Sequence, residues 1–308
     1  MKSSAPFPPL FAAAAATLAM GCKPPPPAPE GLQSSLTYLF REFYSEDEIV
    51  GAGLTGFMDW FDEDGDELLG ESADMDNVGE FTLDHLTEED VAVLPIQGEV
   101  ELTYAPGIVA LSELGCDWKE VEGYLVRTDQ DRVFGEFDTY ERDFLSSRGA
   151  YQDATTDSAF AAVDEPVLEP YSDSFELGDL ESSFLFTDNQ VSSTEVGVTM
   201  AFELLLYMRH GVYTVQGEDM EAFMILSWMP QRAESEGGGN TMEQSYSLEL
   251  DLARPGGKTL RLMSSWLQIE GTFDHDSDTI KVVGVNKNLN SSARLVEICD
   301  GSYQLDPE

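Results

Sequence analysis

Residues 245–252 read Ser-Tyr-Ser-Leu-Glu-Leu-Asp-Leu. Polar and apolar side chains alternate without a break, which is the period of a strand with one buried and one solvated face. Pro255-Gly256-Gly257 supplies a turn, and Leu260 to Ile269 (LRLMSSWLQI) reads as the returning strand. The rest of the fold is read outward from this hairpin.

Upstream, Ser183 to Thr187, Val196 to Tyr207, Gly211 to Val215 and Ala222 to Met229 read as further strands. Val133 to Ser147 reads as extended and rich in aromatics, and the set Trp118, Tyr124, Phe134, Phe137, Tyr140 and Phe144 suits core packing. Asp117 caps a helix, with Glu120 three residues on, and Trp118, Val121 and Leu125 share its inner face. Downstream, Thr279 to Val285 reads as one more strand. Asn290-Ser291-Ser292 then opens a short final helix carrying Leu295, Val296 and Ile298, with Gly301 just past its end.

Before residue 106 the pattern is helical. Leu36, Leu39, Phe40 and Phe43 recur at helical spacing, as do Val50, Leu54, Phe57, Met58 and Phe61. Thr87-Glu88-Glu89-Asp90 opens another short helical turn ending before Pro95. Residues 31–105 are therefore read as an N-terminal helical region, either a small subdomain or a cover, and 106–308 as an α+β domain. The expected class is α+β: a helical part, then a mostly antiparallel sheet with a C-terminal helix. A β-sandwich with added helices is the alternative. The element order over about 106–300 resembles the helix-grip arrangement of START-like lipid-transfer domains. That resemblance implies a curved sheet wrapping a terminal helix around an apolar cavity.

The first thirty residues concern location. Lys2 precedes a short apolar run, Leu10 to Met20 (LFAAAAATLAM), and then Ala19-Met20-Gly21-Cys22. The run is too short to span a bilayer and reads as a processed signal. It resembles the lipobox of bacterial lipoprotein signal peptides. The resemblance implies removal of residues 1–21, a diacylglycerol on the Cys22 thiol, palmitate-type acyl chains and a lipid bilayer as the anchoring partner. Residues 22–30 then hold the acylated cysteine and a proline-rich tether, Lys23 to Glu30 (KPPPPAPE). Lys23 is not the aspartate of an inner-membrane retention signal, which in a Gram-negative cell favours the outer membrane. With Cys22 acylated, Cys116 and Cys299 remain, and an even pair in an oxidising compartment reads as one disulfide.

The chain carries 59 acidic against 16 basic residues, a formal net charge of −43. A nucleic-acid partner is excluded, because phosphate binding needs a basic surface. Adsorption to anionic lipid through charge is disfavoured as well. The excess is spread along the chain, which suits colloidal solubility or life in salt. A fold indifferent to removal of salt would count against the second explanation.

Asp62-Glu63-Asp64-Gly65-Asp66-Glu67, with Glu71, resembles an EF-hand loop, because Gly65 and Glu71 keep a spacing of six. The candidate calcium ligands are Asp62, Asp64, Asp66 and Glu71, although Trp60 stands at the first ligand position. Asp274, Asp276 and Asp278 around His275 form a second oxygen-rich loop. Gly51-Ala52-Gly53-Leu54-Thr55-Gly56 matches GxGxxG, but a charged helix start precedes it where a nucleotide fold needs a strand. Small residues that let helices pack closely are the better reading. Arg209-His210 follows the apolar run Leu204 to Met208. Read as a strand end, the pair is a candidate for an anionic headgroup or substrate. His85, His210 and His275 stand in no zinc pattern, no serine lies in GxSxG, and no catalytic residue is assigned. These readings lead to a membrane-anchored, non-enzymatic envelope lipoprotein that binds an apolar ligand or a protein partner. An extracytoplasmic hydrolase using carboxylates and a structural envelope protein are the alternatives.

Overall fold

The computed structural model describes residues 27–92, 94, 96, 100–135, 137–145, 183–195, 198–271 and 278–305. Cys22 and the first part of the tether lie outside the described residues, and so do Asp274, His275 and Asp276. The strands are β1 (Thr82–Leu83), β2 (Gly107–Leu114), β3 (Phe137–Leu145), β4 (Ser183–Glu195), β5 (Val198–Val215), β6 (Glu218–Trp228), β7 (Ala233–Glu234), β8 (Thr241–Arg254) and β9 (Lys258–Glu270). The helices are α1 (Leu32–Arg41), α2 (Asp47–Glu63), α3 (Glu88–Val91), α4 (Trp118–Leu125), α5 (Gln130–Val133) and α6 (Asp278–Cys299).

Among the described residues, nine strands join one sheet in the order β1-β2-β9-β8-β6-β5-β4-β3, with β7 beside β8, and each strand pair is antiparallel. The chain is thus α+β with a single sheet, and the sandwich alternative is not what it adopts. The hairpin that opened the sequence reading lies inside the sheet. β8 and β9 pair from Arg254↔Lys258 outward, across a turn in which Gly256 and Gly257 take φ of 87° and 72°. Only glycine adopts two such angles in succession without strain.

Alternation along the hairpin sorts its side chains between two layers. Tyr246, Leu248, Leu250 and Leu252, with Leu260, Leu262 and Trp266, meet α1 and α2 in one continuous core. α1 and α2 therefore cover this face of the sheet. The opposite face is also covered. There α4 and the second half of α6 close a second core around Trp118, Val121, Met208, Ile225, Leu295 and Ile298. The polar positions of SYSLELDL are thus not a wet face, because helices lie over them. Among the described residues, no helix is long and apolar enough to cross a membrane.

The GxGxxG match proves to be a packing device on three sides of α2. A Cβ on Gly51 would sit 2.9 Å from the Thr214 carbonyl oxygen of β5, and one on Gly53 would sit 2.7 Å from Leu39 Cδ2 of α1. At Gly56 a Cβ would collide with the carbonyl oxygen of Pro29, where the tether reaches the domain. Backbone cannot yield as a flexible side chain can. Gly56→Val is expected to destabilise the fold by about 1–3 kcal/mol, read as a lower urea midpoint with unchanged slope.

Two expectations are corrected, and one strand is new. Thr279 to Val285 is not a strand, because α6 runs for 22 residues through it to Cys299. Val282, Val285, Leu289, Ser292, Leu295 and Ile298 recur every three or four positions, and all but the polar Ser292 belong to or pack on the two apolar cores. That tertiary burial outweighs the β preference of the Val-Val pair. The segments expected at Val196 to Tyr207 and Gly211 to Val215 join in one strand, β5 (Val198–Val215), in which Gly211 pairs with Ala222 without a break, while Val196 lies outside the described residues. β2, which the sequence reading did not assign, pairs along its whole length with β9. The helix starts fare better: Thr87 and Asp90 form a reciprocal capping box on α3. Asp117 caps α4 by accepting from the Lys119 amide at 2.9 Å, without help from Glu120. Cys116, just before α4, is joined to Cys299 at the end of α6, with S–S 2.05 Å and Cα atoms 5.0 Å apart.

Candidate functional site

The first half of α6 lies over the end of the sheet formed by β2, β8 and β9. Contact there is incomplete, and a cleft of about 160 Å³ remains. Pro106, Ile108, Leu267 and Ile280 give it apolar walls, and Ser245 and Ser265 floor it. Those serines are the small members of the alternating strands, so the helix cannot fill the space beneath itself. Gly284 sets the closest approach, where a Cβ would meet Ile108 Cδ1 at 2.5 Å. Asn288 donates to Ser265 Oγ at 3.2 Å and fixes one side. Lys281 and Lys287 complete the lining. The volume is below the roughly 300–1,000 Å³ of drug-sized pockets, so the cleft suits a slender group rather than a ring system.

Further along the same face lies a buried polar row. His210 of β5, Phe223 of β6, Asp251 of β8 and Arg261 of β9 are successive register partners. Arg261 donates to both Asp251 oxygens at 2.9 and 2.7 Å, and to Glu249. Burial pushes Asp251 up to about 6, against the pull of Arg261 and with Glu249 adding to the rise. His210 Nδ1 lies 2.8 Å from Glu122 Oε1 of α4, and burial raises Glu122 despite that contact. Trp118 seals the pair, edge-on to the imidazole at 5.8 Å, with its indole N–H donating to Glu221 at 2.8 Å.

Arg209 and His210 therefore do not form a shared anion site at a strand end. They are neighbours inside β5 and so face opposite ways. Arg209 is 1% exposed and donates to the Phe43 carbonyl and to Asp47, each at 2.6 Å, on the α1–α2 side. His210 is 2% exposed on the other side. The charges that suggested a ligand are satisfied by the protein's own acids.

Asp62, Asp64, Asp66 and Glu71 do not converge either. Residues 65–68 form a 3-10 turn that buries Gly65 and Leu68, which leaves the carboxylates outside. Asp62 accepts instead from the Gln216 amide at 3.1 Å. Among the described residues, no group of three or more histidines, cysteines and carboxylates is placed to hold a metal ion.

Two open grooves lie elsewhere on the described surface. One of about 850 Å³ lies between the start of α2 and the end of β5, bordered by Glu46, Asp47, Glu48 and Gln216. The other, about 530 Å³, crosses β3, β4 and β5 between Glu141, Gln190, Glu203 and Gln231. Beside it Asp143 and Asp188 are direct register partners, a like-charge pairing that destabilises a sheet. Burial, then Glu203 and Asp143, push Asp188 up to about 6 from 3.8. A carboxyl with a raised folded pKa binds more protons in the fold than in the unfolded chain. Its cost is absent below about pH 4 and grows as pH rises to about 6. Asp188→Asn is expected to gain on the order of 1 kcal/mol at pH 8, after solvent screening, and nothing near pH 4. Urea midpoints at the two pH values check this.

Sequence reading missed the cleft residues. Ser245 read as a solvated strand position, Ser265 only as part of the returning strand, and Lys281 fell in the stretch misassigned as a strand. The signal that could have found them is the run of small polar residues opposite one apolar helix face.

No protein-family model matches the chain, and no curated protein matches it. Solved structures similar to it are of the START and related folds. A START superfamily protein from Mycobacterium smegmatis superposes with a TM-score of 0.37 at 8% identity, covering 64% of this chain and 99% of its own. The lipid transfer and protein localization domain of human StarD13 (DLC2) gives 0.33 at 12%, covering 65% and 78%. Ara h 8.0201 gives 0.28 at 10%, covering 63% and 97%. Superpositions at these scores bear on neither ligand nor activity.

Proposed function

We propose that this chain is an envelope-tethered binding module that admits a slender, largely apolar ligand between its sheet and its C-terminal helix. The observation that carries the reading is the cleft of about 160 Å³ left beneath α6 by the small side chains of Ser245 and Ser265. Its apolar walls and narrow section suit an alkyl chain, each buried methylene contributing about 0.8 kcal/mol. The tether rests on the sequence alone: the short apolar leader, Ala19 to Cys22, and the prolines after it. Several acyl chains together hold a protein at a bilayer far more firmly than one.

Each half has its own test. Expressed in a Gram-negative host, the protein is expected in the membrane fraction with a diacylglycerol-bearing N-terminal peptide by mass spectrometry, and Cys22→Ser is expected to release it. Calorimetric titration of the purified protein with octanol is expected to saturate at one site. Ser245→Phe, which fills the cleft floor, is expected to weaken that binding at least about tenfold. A protein that takes up no alkyl chain, or whose Ser245→Phe variant takes it up equally well, would end the binding reading.

A further inference from the structure

We infer that the ligand of the cleft carries an anionic headgroup, held by Lys281 and Lys287 above an alkyl chain that lies against Ile108, Leu267 and Ile280. The inference rests on the binding reading above and adds the chemical class. Lysine is scarce in this chain. Its six lysines are Lys2 and Lys23 near the start, then Lys119, Lys258, Lys281 and Lys287. Lys119 pairs with Glu221 and Lys258 with Glu113, both on open surface. The other two line the apolar cleft under α6. In a molecule with 59 acidic residues, this cleft has two lysines and no acidic residue among those that line it.

Burial separates Lys281 from a surface ion pair. Its side chain is 15% exposed, whereas that of Asp278, its partner at 3.0 Å, is 54% exposed. The methylene stem of Lys281 is buried along the cleft wall, and its ammonium meets the exposed Asp278 carboxylate at the rim, where such a pair contributes little. An ammonium has three N–H donors, so one contact to Asp278 leaves capacity for a ligand anion. A bond from Lys281 to a ligand carboxylate or phosphate is charge-assisted and stronger than a neutral one. The overall negative field repels free anions. The chain and the headgroup are therefore both needed: the alkyl part supplies burial and the lysines offset the field.

Fatty carboxylates and alkyl phosphates share this chemistry, and the test separates them. Full-length protein is titrated calorimetrically with octanoate, octyl phosphate, octanol and inorganic phosphate. At least one of the two anionic amphiphiles is expected to bind about tenfold or more tightly than octanol, with inorganic phosphate not binding. Lys281→Gln with Lys287→Gln is expected to remove that advantage and leave octanol within about twofold. Lys119→Gln, outside the cleft, is expected to change nothing, and unaltered urea midpoints certify the fold. Whichever of the two anions binds tighter identifies the headgroup. If octanol binds as tightly as both anions, or the double variant keeps the preference, the anionic class is overturned while the cleft stands. If none of the alkyl probes binds, both readings fall.

Discussion

Arg261→Met is expected to lower the unfolding free energy by about 3–5 kcal/mol at pH 8. Arg261 and Asp251 each have side chains 0% exposed, and Glu249 is close to buried at 15%. Removing the guanidinium leaves two carboxylates facing each other across neighbouring positions of β8 with no cation and little water. The cost is that of stranding charge, so it exceeds what the pair itself contributes to the fold. Two accompanying measurements tie the loss to this cause. Asp251 already sits near 6, and without Arg261 it moves higher, so the deficit is expected to shrink as pH falls from 8 to 5, where the carboxyl takes up its proton in the fold. Arg261→Met combined with Asp251→Leu is expected to recover most of the loss, since apolar replacement of a whole buried pair is often neutral. A single variant within about 1 kcal/mol of the parent protein would show that water reaches this row.

Cys116→Ser with Cys299→Ser is expected to cost about 2–5 kcal/mol. The bond closes a sequence separation of 183 residues, among the largest reductions of unfolded-chain freedom this polypeptide allows. It joins the start of α4 to the end of α6, so it also holds down the helix that roofs the cleft. Urea unfolding with and without dithiothreitol is expected to give the reduced parent protein and the double variant the same midpoint. Octanol binding should weaken in step. A midpoint unmoved by reductant would remove the crosslink from the stability of the fold.

What the sequence made legible was period. SYSLELDL, the turn after it and Leu260 to Ile269 gave a hairpin, and the apolar spacing of α1 and α2 placed their buried faces. It did not give depth. Alternation names two faces but not what covers each, so Ser245 and Glu249 read as wet although α4 and α6 lie over them. A β-branched run such as Lys281-Val-Val is ambiguous until its neighbours are known, and here tertiary burial decided for helix. Arg209 and His210 misled for a related reason: adjacent letters in a strand face opposite layers, and each finds its own acid from an element far away in sequence. The acidic loop near Asp62 had ligand chemistry without ligand geometry, because Gly65 and Leu68 turn inward and point the carboxylates apart.

The contact between Pro29 and Gly56 sets a limit of reach. If Cys22 carries the acyl chains as proposed, only the few residues between it and Pro29 are free to extend. Fully stretched they span about 25 Å, less than the full thickness of a bilayer. The folded body would hover close over the leaflet in which it is rooted. A molecule on so short a leash could meet its proposed ligand only at that leaflet.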